Sequence, residues 1–345
     1  MDLVQIITET PGLRDKLASI SQDPLREMPV IFAKIKLLWQ CNCSCVFCER
    51  PAPCEPMSRE AFSRILDDLI GHGARKIHLS GGEIFLHPDI LAILDTACTS
   101  GVQVNFTSNG TLITKDIAKT VAGIGVHSVS LSLDSSKPAL HDRLRGRKGA
   151  HKSTVRALEH LARYRRKNPR LRVNTVVTRE NCDDLEDMHA FLAAMNRDII
   201  WKLIPVDSQN RKLRLTEAQV SELADRSLGW PLLENRHIFS RYDSDKNIAR
   251  GNYAGNYYRY YPCFMPWMHL FIDPGGFAYP CCMTRGKIPS IGNAVNEPLS
   301  DLLKGRRMRD IRMSMSGANT FDVCGRCDDF ILENKSIYDL INAAT

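Results

Sequence analysis

The sequence predicts an α/β fold in which a partial (β/α)6 barrel precedes a smaller, cysteine-rich C-terminal domain. Between residues 29 and 210, short apolar runs alternate with stretches of helical period, as in a parallel sheet covered by helices. Six such repeats are fewer than the eight of a complete barrel, so we expect an open barrel. After residue 210 the chain becomes polar and charged, and five cysteines follow from Cys263 onward. The predicted regions are an N-terminal extension at 1–28, the barrel at 29–210, a linking helical segment at 211–260 and the C-terminal domain at 261–345.

Each predicted element follows from its period and its flanking residues. Strands are predicted at residues 29–39, 76–80, 102–107, 127–133, 171–178 and 199–205. Helices are predicted at about residues 58–70, 89–99, 115–121, 153–166, 185–195 and 216–228. In the first helix Ser58 is a candidate N-cap, and Phe62, Ile65 and Leu69 recur at helical spacing. In such a fold, ligands bind at the carboxyl ends of the strands.

Three closely spaced cysteines follow the first strand. Cys41, Cys45 and Cys48 form the pattern C-x3-C-x2-C, with Phe47 directly before the last of them. Three thiolates at this spacing can hold three corners of a cubane iron–sulfur cluster, and Cys54 fits no common spacing for a fourth ligand. One iron would then stay open to a ligand from outside the protein, which indicates chemistry rather than electron storage. A zinc site is the alternative, although zinc knuckles usually contain two C-x2-C pairs.

This pattern, with Phe47 as the aromatic residue of C-x3-C-x-aromatic-C, resembles the signature of the radical S-adenosylmethionine (radical SAM) enzymes. The resemblance implies a [4Fe-4S] cluster whose open iron chelates the amino and carboxylate groups of SAM. It also implies reductive cleavage of SAM to methionine and a 5′-deoxyadenosyl radical that abstracts hydrogen from the substrate. An external reductant such as flavodoxin or ferredoxin is the implied electron source.

A second motif, Ser80-Gly81-Gly82-Glu83, directly follows the second strand. Neither glycine has a Cβ, so the backbone can approach a ligand closely, although Gly-Gly after a strand is also a common turn. The motif resembles the G-G-E sequence of the same family. That resemblance implies a contact with the methionyl amino group of SAM, with Glu83 near the ammonium.

Other strand-end residues acquire roles through the same resemblance. Ser132, at the end of strand 4, resembles the serine that contacts the carboxylate or ribose of SAM, although an ordinary strand-end hydroxyl would look the same. Arg145 resembles the arginine that reaches the carboxylate. Its spacing from Ser132 is one residue longer than in the family pattern, so Arg143 stays an alternative. Asn109 and Asn181, after strands 3 and 5, are either further candidates or turn residues.

The C-terminal domain carries a second set of thiols. Residues 271–280 predict two strands around a Pro-Gly-Gly turn, which would return Cys281 towards Cys263. Cys324 and Cys327 supply two more thiolates, and four thiolates without an open position define a closed cluster. The spacing C-x12-G-x4-C resembles the start of the SPASM auxiliary-cluster domain. No cysteine follows Cys327, which favours the shorter twitch form with one auxiliary [4Fe-4S] cluster, as in enzymes of the 2-deoxy-scyllo-inosamine dehydrogenase type.

Two alternatives stay open at this second site. Cys282 could replace Cys281 as a ligand, although the spacing from Gly276 favours Cys281. A zinc ribbon also uses four thiolates. Cys98 and Cys182 lie on or near helices, and we predict that they are packing residues.

Composition and charge limit the protein class. With 345 residues and 43% hydrophobic content, the chain can bury one large and one smaller core, and no stretch approaches the length of a membrane span. We expect a cytoplasmic protein, because no secretory signal is visible and twelve cysteines then favour metal and reduced thiols. Much of the net charge of +7 lies between Arg143 and Arg172, where few aromatics are interleaved. This stretch is predicted to be a solvated helix face rather than a nucleic-acid surface, and the tyrosines of residues 253–261 are predicted to pack between elements.

The sequence therefore predicts a radical SAM oxidoreductase that oxidises a small polar substrate, such as a sugar or cyclitol alcohol, by two electrons. One alternative is an epimerase with Cys282 or Cys43 as hydrogen donor. Another is maturation of a ribosomal peptide, although the roughly 28 residues before strand 1 are too short for the recognition domain that many such enzymes carry. The non-enzymatic alternative is an iron–sulfur or zinc module that binds RNA or a protein partner through the basic stretch.

Overall fold

A computed structural model describes residues 3–49, 51–195, 198–206, 210–235, 245–316 and 320–343. Its strands are β1 Phe32–Lys36, β2 Lys76–Ser80, β3 Gln103–Ser108, β4 Ser128–Ser132, β5 Arg170–Val177, β6 Ile199–Pro205, β7 His269–Ile272, β8 Phe277–Tyr279 and β9 Gly292–Asn293. They form one sheet in the order β6-β5-β4-β3-β2-β1-β7-β8-β9. Strands β1 to β6 pair in parallel, which confirms the predicted partial barrel.

Helices connect the parallel strands and cover the sheet. The helices are α1 Leu3–Glu9, α2 Leu13–Ala18, α3 Arg59–Gly71, α4 Ile90–Thr99, α5 Lys115–Ile124, α6 Pro138–Arg145, α7 Ala150–Tyr164, α8 Leu185–Ala194, α9 Glu217–Arg226, α10 Asp245–Ala249, α11 Tyr257–Tyr260, α12 Met265–Met268, α13 Leu299–Lys304, α14 Arg306–Ser316 and α15 Ile331–Asn342. Helix α3 begins as predicted, because the Ser58 side chain accepts a hydrogen bond from Ala61 N. Helix α6 was not predicted, and it proves important for the site.

Buried and half-buried residues alternate along the barrel strands. In β1, Ala33 and Ile35 are fully buried, whereas Lys34 and Lys36 are half-buried. The same alternation leaves Lys202 of β6 half-buried. Because side chains alternate between the two faces of a strand, the half-buried polar residues share one face. The open barrel therefore has a polar inner face beneath an apolar layer of helices.

The C-terminal hairpin extends the barrel sheet. Strand β7 pairs in parallel with β1, and β8 pairs antiparallel with β7 as the Pro-Gly-Gly turn predicted. Gly276 in this turn has φ 83°, and a Cβ there would lie 2.5 Å from the side chain of Val295. The boundaries given above for the four regions of the chain stay a prediction. The barrel and the hairpin share a single sheet, so the sheet does not mark a boundary between them.

Outer segments complete the packing. Thr216 caps α9 through a capping box with Gln219. The predicted packing of the tyrosine run is confirmed for Tyr257 and Tyr258, which are 5% exposed, and is wrong for Tyr260, which is 77% exposed.

No helix in the described part of the chain is both long and apolar enough to cross a lipid bilayer.

Candidate functional site

A cavity of about 540 Å³ opens at the carboxyl ends of β1 to β6. This volume lies within the range of about 300–1,000 Å³ that is usual for small-molecule sites. The predicted site residues that line the cavity are Cys41, Cys45, Phe47, Cys48, Ser80, Gly81, Gly82, Asn109, Ser132 and Arg145. The structure thus brings together residues from four strand ends that are far apart in the sequence.

The cysteine loop, residues 41–48, is held against the end of α6. Ser44 N donates to Arg145 O at 3.0 Å. Gly146 ends the helix with φ 60°, and a Cβ there would lie 2.2 Å from Ser44 O. Only glycine fits this left-handed position without moving the loop, so α6 and the cysteine loop form one unit.

Gly81 and Gly82 pack against the chain between β1 and the cysteine loop. A Cβ on Gly82 would lie 2.2 Å from Gln40 O, and one on Gly81 would lie 2.7 Å from the Leu38 side chain. Gly82 N donates to Leu38 O and Glu83 N donates to Gln40 O, both at 2.9 Å. From the sequence, we expected that glycine is needed at these two positions because a ligand approaches the backbone closely. The structure shows that they are already required for the close approach of two backbone segments.

Glu83 lies behind the cavity wall rather than on its surface. Its side chain is fully buried and accepts hydrogen bonds from Ser108 Oγ at 2.8 Å, Asn109 N at 2.7 Å and Phe85 N at 3.1 Å. Burial raises the pKa of this carboxyl to about 7, although the three donors oppose the shift. The carboxylate therefore braces the ends of β2 and β3. The contact with the SAM ammonium that the resemblance implied stays a prediction.

Arg145, and not Arg143, faces the cavity. Arg145 is 7% exposed and pairs with the buried Asp134 through contacts of 2.6 and 2.8 Å. Its Nη1 lies 3.8 Å from Cys45 Sγ, and its guanidinium carbon lies 5.3 Å from the centre of the Phe47 ring. Arg143 is exposed and forms its ion pair away from the cavity. The geometry therefore supports the assignment to Arg145 over the alternative.

The other strand-end candidates separate into lining and supporting residues. Ser132 lines the cavity at the end of β4. Asn109 also lines it, and its Nδ2 donates to Asn42 Oδ1 at 2.8 Å, which steadies the cysteine loop. Asn181 is fully buried and donates to Asp134 O at 2.7 Å. Asn181 is thus a turn residue that supports the ion pair from outside the cavity.

Four thiols gather in the C-terminal domain: Cys263, Cys281, Cys324 and Cys327. Burial raises the pKa of each thiol, and that of Cys324 rises to about 11. Thiols of the same set add to the rise for Cys263, Cys324 and Cys327, so the four sulfurs interact with one another. Thiols must lose their protons to bind metal, and a bound cation then offsets the cost of burying the thiolate charges.

Two buried side chains that the sequence analysis missed reach this thiol set. Tyr258 Oη donates to Cys327 Sγ at 3.5 Å, and Asn334 Nδ2 lies 3.8 Å from Cys263 Sγ. Asn334 Nδ2 also lies 3.2 Å from Tyr258 Oη. Hydrogen bonds to cluster sulfurs tune reduction potentials, so the two residues fit a surrounding layer for a cluster. Asn334 could have been suspected only as a polar residue on the buried side of a helix.

Cys282 differs from the four thiols in lining the cavity and in its hydrogen-bond partner. Its Sγ donates to Asp329 Oδ2 at 2.9 Å, and the residue lines the cavity. Asp329 in turn forms an ion pair with Lys34 of β1. This geometry supports Cys281 over Cys282 within the predicted ligand set, which stays a prediction.

The cavity also contains residues that no motif in the sequence marks as functional. Lys36 and Arg285 both lie against the ring of Trp39, with the Lys36 Nζ 4.9 Å and the Arg285 Cζ 4.3 Å from the ring centre. All three line the cavity. Arg285 is distant in sequence from Lys36 and Trp39, and the local sign of a polar wall was the alternation of lysines with apolar residues in β1.

The donor chemistry of both sites suits iron–sulfur clusters. Cys41, Cys45 and Cys48 line one cavity, which suits a cluster with three protein ligands and one open position, and the second set supplies four soft thiols. No three His, Cys, Asp or Glu side chains in the described ranges converge on a single metal ion. A cubane cluster spreads its thiolate ligands over several irons and so requires a wider spacing than one ion.

Comparison with protein families matches both regions. Residues 40–192 match the model of the radical SAM superfamily. Residues 263–328 match the model of the SPASM iron–sulfur cluster-binding domain. The two domains imply SAM and [4Fe-4S] clusters as the cofactors.

Several characterised proteins are similar to this chain. The AdoMet-dependent heme synthase of Methanosarcina barkeri is 29% identical over 149 residues, 42% of this chain and 42% of its own length. The antilisterial bacteriocin subtilosin biosynthesis protein AlbA of Bacillus subtilis is 31% identical over 184 residues, 51% of this chain and 40% of its own length. The chain therefore matches about two fifths of the length of these relatives.

A solved structure shows the same fold over most of the chain. Streptococcus suis SuiB bound to the precursor peptide SuiA superposes with a TM-score of 0.68 at 16% identity, covering 92% of this chain and 75% of SuiB. The two family matches fall on the two thiol sets, and the shared fold joins them in one molecule. Residues 40–192 thus form a radical SAM domain, and residues 263–328 form a SPASM-type iron–sulfur cluster-binding domain.

Proposed function

We propose that this radical SAM enzyme oxidises a polar substrate by two electrons in the cavity beside the cysteine loop. When bound, the first cluster and SAM supply a radical that takes a hydrogen atom from the substrate, and an auxiliary cluster supplies an acceptor for the second electron. One observation carries the proposal: Cys281 belongs to the thiol set of the C-terminal domain, while the adjacent Cys282 lines the cavity.

The residues of the chain have distinct parts in this proposal. Cys41, Cys45 and Cys48 would hold the first cluster, and Cys263, Cys281, Cys324 and Cys327 would hold the second. Gly81 and Gly82 offer backbone groups at the cavity edge, and Arg145 offers a fixed guanidinium that suits the carboxylate of SAM. Phe47 and Trp39 contribute apolar surface that limits the access of water.

Oxidation by two electrons also requires that a proton leave the substrate. The carboxylates among the described lining residues are Glu49 and Asp328, so an acceptor for this proton is present on the cavity wall. Four thiols leave no open position at the second site, which suits electron acceptance rather than Lewis-acid catalysis.

For the substrate, we propose a small polar molecule such as a sugar or cyclitol alcohol. The polar inner face of the barrel supports a polar ligand, since Ser80, Thr107 and Ser132 line the cavity. An external flavodoxin or ferredoxin as reductant and a cytoplasmic location are parts of the same proposal.

Changing Cys324 and Cys327 to alanine tests the role of the second site. We expect SAM cleavage to 5′-deoxyadenosine to continue, because it requires only the first site. Formation of oxidised product from a panel of cyclitols and amino sugars should fall at least about tenfold, since the acceptor for the second electron is lost. Circular dichroism and SAM affinity would show whether the fold is intact, because thiolate–metal bonds can also hold a domain together. Equal formation of oxidised product by a folded variant would overturn the proposal.

A peptide is the second candidate substrate. AlbA is named for the biosynthesis of a bacteriocin, and SuiB was solved with a precursor peptide. The same cysteine variant applies to both candidates. Mass spectrometry that finds two hydrogens lost from a supplied peptide, and none lost from any cyclitol, would decide for the peptide.

Epimerisation is favoured by the candidate donor thiols, since both Cys282 and Cys43 line the cavity, and Cys282 is the one outside the cysteine loop. A thiol that returns a hydrogen atom would leave the oxidation level of the substrate unchanged. In deuterated water the product would then carry solvent deuterium, and Cys282→Ala would abolish this incorporation. Loss of two hydrogens in both parent and variant would exclude epimerisation.

A further inference from the structure

One part of the cavity carries two cations, Lys36 and Arg285, that have no role in the function proposed above. It is built by the end of β1 and by the segment that follows β8, and its central side chain is Trp39. Trp39 is 7% exposed, so its ring is fixed within the wall. The indole offers a rigid surface against which other side chains can be oriented.

Two cations lie against this ring. The Nζ of Lys36 is 4.9 Å from the ring centre, and the guanidinium carbon of Arg285 is 4.3 Å from it. Contacts of this kind attract a cation to the face of an aromatic ring and hold it in place. Besides burial, the charge of Arg285 also lowers the pKa of Lys36, so the two cations repel each other, and an anion bound to both would relieve the repulsion.

The protein neutralises these charges only in part. Arg285 Nε lies 3.4 Å from Asp273 Oδ2. Within the described residues, Lys36 has no carboxylate at ion-pair distance. Burial lowers the pKa of Lys36, and the thiols of Cys282 and Cys48 oppose this shift. A half-buried ammonium without a carboxylate is costly, and a ligand that brings a negative charge removes this cost.

We propose that Lys36 and Arg285 form an anion subsite that binds a carboxylate group of the substrate. The inference rests on the proposed function only in taking this cavity as the place where the substrate binds. An arginine can bind a carboxylate through two parallel hydrogen bonds, and a lysine adds a point charge. The subsite thus selects acidic substrates, such as a sugar acid or an acidic side chain of a peptide, over neutral ones.

The competing explanation is that Lys36 serves the cofactor. Lys36 interacts electrostatically with Cys48 of the cysteine loop, so its charge could instead balance the first cluster or meet the carboxylate of SAM. These roles predict different results. A cofactor role requires that iron content or SAM affinity fall when the ammonium is removed, whereas a substrate role leaves both unchanged.

Calorimetry on the anaerobic holoenzyme saturated with SAM tests the subsite with simple probes. Glutarate carries carboxylates, glutaramide is its neutral counterpart, and inorganic phosphate tests whether any anion suffices. We expect glutarate to bind at least about tenfold more tightly than glutaramide, because a charge-assisted hydrogen bond is lost in the amide. Tighter binding of phosphate than of glutarate would overturn the choice of a carboxylate.

Variants then locate the binding site. Lys36→Met and Arg285→Met should each weaken glutarate binding about tenfold or more, with SAM affinity and iron content as in the parent. Lys119→Met and Arg166→Met are matched controls, since both residues are exposed, and they should bind glutarate as the parent does. No binding of glutarate to the parent, equal binding by the Lys36 and Arg285 variants, or loss of iron or SAM from either variant would overturn the proposal.

These measurements involve no turnover, so their failure is separate from that of the proposed oxidation. An enzyme without the anion subsite could still oxidise a neutral alcohol. An enzyme with the subsite could still prove to be an epimerase.

Discussion

Two buried carboxylates support the cavity from behind its wall. Asp134 follows β4, pairs with Arg145 and accepts a hydrogen bond from Val176 N at 2.9 Å. Glu83 follows β2 and accepts hydrogen bonds from two donors at the end of β3. A buried carboxylate is tolerated when several donors satisfy its oxygens. Each of these carboxylates therefore fixes a strand end, and in this way it also fixes the cavity-lining residues at that strand end.

The raised pKa of Glu83 predicts a dependence of stability on pH. The folded protein holds this carboxyl with a pKa of about 7, against 4.5 for the ordinary group. Between these values the folded state binds more protons than the unfolded state, so the free energy of unfolding should fall as pH rises from about 4.5 to about 7. The contribution is at most about 1.4 kcal/mol per pH unit and should end above pH 7.

Comparison with Glu83→Gln isolates this contribution. Glutamine does not titrate, so urea unfolding of the anaerobic proteins should show the parent losing stability relative to the variant across this pH window. Glu217→Gln, which changes an exposed carboxylate on α9, is the control and should follow the parent. Parallel pH profiles for parent and Glu83→Gln would contradict the assignment.

At the scale of elements, the turn after β2 and the segment after β1 are packed backbone to backbone. Gly82 N and Glu83 N both donate to carbonyls of this segment. The segment leads directly into the cysteine loop, and α6 holds that loop from its other side. Movement of the Gly81-Gly82 turn would therefore move the cysteines.

Gly82→Ala should reveal this coupling. A Cβ at this position would lie 2.2 Å from Gln40 O and 2.5 Å from Trp39 O, so the backbone would have to separate and two hydrogen bonds would weaken. We expect a loss of roughly 2–4 kcal/mol in urea unfolding, together with weaker SAM binding. In Gly123→Ala on α5, the new Cβ meets no atom within 4 Å, and this control should be neutral or gain about 0.5–1 kcal/mol. Equal stability of the two variants would show that the turn is not confined.

The elements predicted from the sequence were those with a clear apolar period. Helix α3 and strands β2 and β6 have the predicted positions because their buried residues recur at regular spacing. Helix α6 was missed because it buries the polar residues His141 and Arg145 beside one leucine, so no apolar stripe marks it. Strand β1 was predicted too long, since Leu37 and Leu38 are buried outside the ladder.

At the scale of the molecule, the pairing of β7 with β1 joins the two thiol sets. The hairpin carries Cys281 to one side and Cys282 and Arg285 to the cavity beside β1. The first thiol set is predicted from cysteines that are close in sequence, and the second from a hairpin and a C-x2-C pair; both ligand sets stay predictions. The Lys36–Trp39–Arg285 wall could not be predicted, because it depends on a strand pairing between distant parts of the chain and on which face each side chain takes.

The two thiol sets lie on separate elements, so each site should load iron without the other. Anaerobically reconstituted protein should hold about eight irons if both sites carry [4Fe-4S] clusters. Changing Cys41, Cys45 and Cys48 together to alanine should leave about four irons and abolish SAM cleavage, because the second set and its Tyr258 and Asn334 neighbours are untouched. Cys54→Ala is the matched control, since this thiol is exposed in a proline-rich stretch, and it should keep about eight irons. Iron and sulfide analysis with measurement of 5′-deoxyadenosine would decide, and a triple variant that keeps its full iron content would refute the assignment of the first site.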